Sequence, residues 1–84
     1  MAATARQHVS WPRALGEYIY ITVALISPVA DQLRCLQKTT QLSATDLTNR
    51  AITSYAFFDA EMRAGNDLMV RDGRTGETRV VRFA

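Results

Sequence analysis

The hydrophobic positions of this chain fall into a few patterned stretches, and the period changes from one to the next. Glu17 to Leu25 (EYIYITVAL) is dense in β-branched and aromatic residues, a composition that suits a pleated surface better than a helix. At a period of two, Ile19, Ile21, Val23 and Leu25 share one face, the expected core face, and Tyr18, Tyr20, Thr22 and Ala24 share the other. A strand is expected there. Ser27-Pro28 then supplies a capping hydroxyl followed by proline at the first helical position, where its missing N–H costs nothing. A helix from Pro28 to about Thr40 should follow, with Val29, Leu33 and Leu36 on one stripe and Asp31, Arg34 and Lys38 away from it.

The period breaks at Thr39 to Leu42, and Ser43-Ala44-Thr45-Asp46 has the spacing of a capping box, which predicts a second helix of about 22 residues. Leu47, Ala51, Tyr55, Phe58 and Met62 trace its expected buried stripe with Ile52 on the flank, and Gly65-Asn66 offers a left-handed stop. Beyond it, LMVR and TRVVRF flank Asp72-Gly73-Arg74-Thr75-Gly76, which predicts a β-hairpin with a loop longer than two residues. Residues 1 to about 14 have no period and read as a mobile tail holding the one histidine, His8. The expected organisation is a tail (1–14), a strand-helix-helix domain (15–66) and a C-terminal hairpin extension (67–84), making an α+β chain that is mostly α.

Composition narrows the function classes. Eighty-four residues make one domain at most, and a domain that small buries a modest share of its surface, so self-association is expected. The formal charge of +2 is too mild for a protein that coats nucleic acid nonspecifically. A lone cysteine, Cys35, with no metal-ligand spacing around it fits a small helix residue in a reducing compartment, and a cytoplasmic location is expected. Tyr18 to Ala30 is apolar with arginines upstream, yet it is shorter than the ~18 residues a membrane span needs and includes Thr22, Ser27 and Pro28. Neither a leader nor a membrane anchor is expected. Catalysis finds little support: His8 sits in the tail, no Ser or Cys has a recognisable base, and Asp59 and Glu61 point to different faces of one helix. No enzyme activity, metal, cofactor or small-molecule substrate is expected.

A single short strand cannot stand alone in water, because its backbone groups lack partners on both edges. The distant hairpin could pair with it, and so could the same strand of a second copy, antiparallel about a two-fold axis. The order of strand, Ser/Pro-started helix, short turn and the run LSATDLTNRAI (Leu42 to Ile52) resembles ribbon-helix-helix proteins of the Arc, MetJ and CopG kind, over Tyr18 to Phe57. That resemblance implies a homodimer whose shared antiparallel β-ribbon enters the major groove of double-stranded DNA while the second helix presents its N-terminus to a phosphate. It assigns base contact to Tyr20, Thr22 and Ala24, and phosphate contact to the amides around Ser43, Ala44 and Thr45. Arg13, with Arg6, reads as either a further phosphate-seeking arm or a solubilising tail. The implied role is a regulator: a transcriptional repressor, a plasmid copy or partition factor, or an antitoxin that also binds a toxin.

Two departures from the family pattern matter. Such proteins usually carry Arg, Lys, Asn or Gln on the outer ribbon face, and Tyr20, Thr22 and Ala24 offer fewer hydrogen bonds to base edges, which points to shape-led recognition. Gln41 stands where a left-handed glycine is common, so a slightly strained or differently shaped turn is expected rather than a different fold. The uncharged face also motivates a rival reading, a dimeric protein-interaction module that has lost base reading and docks a partner through its C-terminal hairpin.

Overall fold

The computed structural model describes residues 10–11 and 18–83. The expected tail, with Arg6, His8 and Arg13, and the first residue of the expected strand, Glu17, lie outside the described residues, except for Ser10 and Trp11. The elements are α1 (Ser27–Thr40), α2 (Ala44–Arg63), β1 (Leu68–Arg71) and β2 (Thr78–Val81), an α+β chain that is mostly helical. The chain divides into two compact units, with the boundary between Thr53 and Ser54 inside α2.

In the first unit, α1 begins one residue earlier than the sequence pattern suggests. Its cap is Ile26, extended at φ −66° and ψ 152°, whose carbonyl accepts the N–H of Val29 (3.0 Å) and of Ala30 (2.9 Å). The expectation that Ser27 caps this helix is therefore corrected. Ser27 is already helical and makes no capping bond, because Pro28 has no N–H to offer it and the next two amides are donated to Ile26. The helix ends at Gln41, which adopts the left-handed conformation at φ 61° and ψ 22° and donates its N–H to the carbonyl of Gln37 at 2.9 Å. Gln41 holds that glycine-like position by also donating its side-chain amide to the carbonyl of Lys38 at 2.9 Å. The described part of the expected strand Glu17 to Leu25, residues 18–25, is neither helical nor paired with another strand among the described residues.

The capping box at α2 forms in one direction: the Ser43 hydroxyl accepts the Asp46 N–H at 3.0 Å. In the first unit Leu47 of the expected stripe is half-buried, while Ala51 and Ile52 are exposed. In the second unit Phe58 is half-buried with Phe57, while Tyr55 and Met62 are exposed. The stripe expected to be buried is thus only partly covered, because among the described residues β1 and β2 are the only elements that lie alongside each other. No described residue is fully buried.

The second unit is built from local rules. Gly65 at φ +83° closes α2, with its N–H donated to Met62 (3.0 Å) and that of Asn66 to Glu61 (3.0 Å), the two bonds that satisfy orphan carbonyls at a left-handed helix end. β1 and β2 then pair antiparallel, Leu68 opposite Val81, Met69 opposite Val80, Val70 opposite Arg79 and Arg71 opposite Thr78. Leu68 and Val81 are half-buried, and Phe83 stacks on Phe58 (6.2 Å between centroids) and lies 6.4 Å from Tyr55, fastening the end of the sheet to α2. The connecting loop is held by Asp72, whose Oδ1 accepts the N–H of Arg74 (2.8 Å) and of Thr75 (3.0 Å), and it is turned by Gly76 at φ +76°.

Two outcomes follow from that loop. Gly76→Ala places a side chain in the left-handed region with no compensating contact, so it should destabilise the sheet by about 1 kcal/mol, measurable as weaker amide-exchange protection at β1 and β2. The Asp72 carboxyl is held below its usual value, first by the backbone N–H of Thr75 and then by that of Arg74. Because the folded value is the lower one, the stabilisation is complete above the ordinary carboxylate pKa and disappears as the pH falls through the depressed one. Acid should loosen the β1–β2 loop in wild-type protein, and Asp72→Ala should remove that pH dependence, as read from Thr75 and Arg74 amide shifts.

Candidate nucleic-acid interface

The sequence-expected contact residues divide between the 18–26 segment and the first turn of α2. Tyr20, Thr22 and Ala24 are all exposed, Tyr20 to 89% of its surface. Ser43, Ala44 and Thr45 are exposed too, with Ser43 preceding the helix and the other two opening it. Arg13 lies outside the described residues. The structure brings part of the two sets together: Tyr18, Tyr20, Ser43, Thr45 and Asp46 line one open recess of about 340 Å³. Thr22 and Ala24 are not part of it.

The tyrosine rings flank this recess with centroids 6.5 Å apart and planes tilted by 40°. Its lining includes the start of α2, where amides not yet engaged in helical bonds and the helix dipole favour an acceptor or an anion. Asp46 opposes a second anion there. Its own N–H is already bound by Ser43, and its carboxylate, in the first turn of α2, complements the positive end of the dipole. The recess therefore suits a neutral hydrogen-bonding group better than an isolated phosphate ion.

Sequence reasoning missed one participant. Trp11, expected in a mobile tail, lies with its ring under the Arg50 guanidinium, 5.1 Å from the centroid. Such a pair is worth ~0.5 to 1 kcal/mol at an exposed site. It places Trp11 against α2, where Arg50 is half-buried. The only signal in the sequence was a lone tryptophan beside a proline, which is too common to read. Cys35 is exposed in the single chain rather than packed as a small hydrophobe. Among the described residues no group of His, Cys, Asp and Glu side chains could hold a metal, and no helix is long and apolar enough to cross a membrane.

Comparison with family models, with curated proteins and with solved structures finds no match to this chain. What it does is therefore argued from its own residues.

Because Trp11 is the chain's one tryptophan, its fluorescence reports the Arg50 contact directly. Arg50→Met should make Trp11 more accessible to a neutral quencher such as acrylamide while leaving the helical signal intact. Unchanged quenching would mean that the pair does not hold the segment.

Proposed function

We propose that the chain is a DNA-binding regulator that works as a homodimer, joining segment 18–25 of two copies into an antiparallel β-ribbon that enters the major groove. The observation that carries this reading is the apolar alternation left uncovered in the single chain. Ile19, Ile21, Val23 and Leu25 are exposed to 91%, 70%, 60% and 44% of their surface. Burying a fully exposed aliphatic side chain gives about 1.5 to 3 kcal/mol, so the surface these four still expose offers roughly 4 to 8 kcal/mol per chain. That is of the order of the whole stability of a small domain, which makes continued exposure of this face in water the least tenable arrangement.

A second copy is the occupant that meets both needs of the segment at once. An antiparallel pairing about a two-fold axis satisfies the outward backbone groups and lays the apolar face over the incompletely covered stripes of α1 and α2. It leaves Tyr18, Tyr20, Thr22 and Ala24 on the outer face. That face carries no charge, so base readout would rest on Thr22, on the Tyr20 hydroxyl and on methyl contacts from Thr22 and Ala24 to thymine, with groove shape supplying the rest. The α2 N-terminus, already beside Tyr18 and Tyr20 in one recess, fits the role of positioning the ribbon on the backbone.

Sedimentation should give a dimer at micromolar concentration, and Ile21→Lys should yield an unfolded or aggregated chain. Duplex DNA should bind with an affinity that falls as salt rises, by about 0.9 log units per log unit of salt for each neutralised phosphate. Thr22→Glu should abolish the complex while leaving the dimer intact. A folded monomer in dilute solution, or a dimer with no salt-sensitive affinity for duplex, would refute the proposal.

A further inference from the structure

Most cations of the described helices are already engaged. Arg34 is paired with Asp31 at 2.9 Å and Arg63 with Asp59 at 2.8 Å, and Arg50 lies over Trp11. Segment 18–26 has none. Half of the described positive charges, Arg71, Arg74, Arg79 and Arg82, fall on β1, β2 and their surroundings, and none of these four is in an ion pair among the described residues.

The register sorts them. Residues facing one another across an antiparallel pair share a face, so Leu68, Val70, Arg79 and Val81 lie on one side and Met69, Arg71, Thr78 and Val80 on the other. The first side holds the half-buried Leu68 and Val81. The second is exposed throughout, with Met69 at 58% and Val80 at 44%, and Arg82, one residue past β2, continues its alternation. Arg74 sits in the loop between the strands. The acidic residues offset these charges only partly. The Asp72 carboxylate is taken up by two loop amides and, like Glu77, falls on the other side by alternation, which leaves Asp67 as the acidic residue of the open side.

From this placement we infer that the open face of the β1–β2 sheet, with its connecting loop, is a second polyanion-binding element, in which Arg71 and Arg82 on the face and Arg74 in the loop bind DNA phosphates that the uncharged ribbon cannot neutralise. The inference rests on the DNA-binding reading and deepens it: the ribbon reads the groove, and the sheet supplies the salt-dependent part of the affinity. Arginine suits this role because its fork of donors matches phosphate oxygens and its charge persists at any working pH.

The test is the salt dependence of duplex affinity for four full-length proteins: wild type, the triple variant Arg71→Gln/Arg74→Gln/Arg82→Gln, the single variant Arg79→Gln, and Tyr20→Ala. Circular dichroism checks that each retains its fold. The triple variant should lower the magnitude of the log-log slope by about 0.9 for every phosphate it no longer neutralises, while Arg79→Gln, on the other face, should leave it near the wild-type value. Tyr20→Ala should weaken binding at fixed slope. If wild type binds no duplex, the inference falls together with the reading it rests on. If wild type binds and the triple variant keeps its slope, or Arg79→Gln lowers it equally, the sheet is no phosphate element and its arginines serve to blunt open strand edges or to dock a protein.

Discussion

The structure turns on an unmet requirement in nine residues. Segment 18–26 has a strand-like composition, an apolar face, and backbone groups that pair with no strand among the described residues. Buried backbone donors and acceptors must be partnered, and an uncovered apolar face opposes solubility. The one sheet among the described residues consists of β1 and β2 alone. Among the described residues up to Thr53, as among those beyond it, none is fully buried.

Local chemistry specified the elements more completely than it specified their packing. The left-handed Gly65 with its two closing bonds, the Ser43 bond to Asp46, and the Asp72 and Gly76 loop are each decided within six residues, so they could be read from the chain directly. The start of α1 could not. Ser27-Pro28 satisfies the preference for a hydroxyl cap, yet the amides such a cap would take, those of Val29 and Ala30, are donated to the backbone carbonyl of Ile26. Gln41 shows the reverse, an unfavourable residue kept at a left-handed position by a side-chain bond that no propensity scale anticipates. Burial was harder still. Leu47 and Phe58 are half-buried while Tyr55 and Met62 are exposed, because a stripe at helical spacing names a face without naming what covers it.

The candidate site was legible in kind and incomplete in membership. Tyr20 and the Ser43 to Thr45 turn are far apart in sequence, and the recess they share with Tyr18 and Asp46 depends on how the chain enters and leaves α1. The spacing of residues gives no access to that geometry. Trp11 over Arg50 is a contact across 39 positions of sequence, beyond any periodic signal. Asp46 illustrates a conflict visible only with the structure in hand: the residue that caps α2 well is the residue that makes its N-terminus a poorer anion site.

That conflict bears on how a weakly charged protein could hold a strongly charged polymer. Non-specific affinity for duplex arises almost entirely from counterions released by cationic side chains, and base contacts add discrimination on top. A ribbon of Tyr, Thr and Ala contributes to the second quantity only, and a helix N-terminus shared with a carboxylate contributes little to the first. With Arg34, Arg50 and Arg63 engaged within the chain, the charge available for phosphates is concentrated beyond α2. A two-fold dimer would present each such arginine twice, so a net charge that is modest in one chain becomes a substantial local field where the duplicated sheets meet the backbone. Under the proposed reading, an uncharged reader and a charged anchor would divide the work within a charge of +2, with Arg71 and Arg82 on the open side of the sheet and Arg74 in its loop.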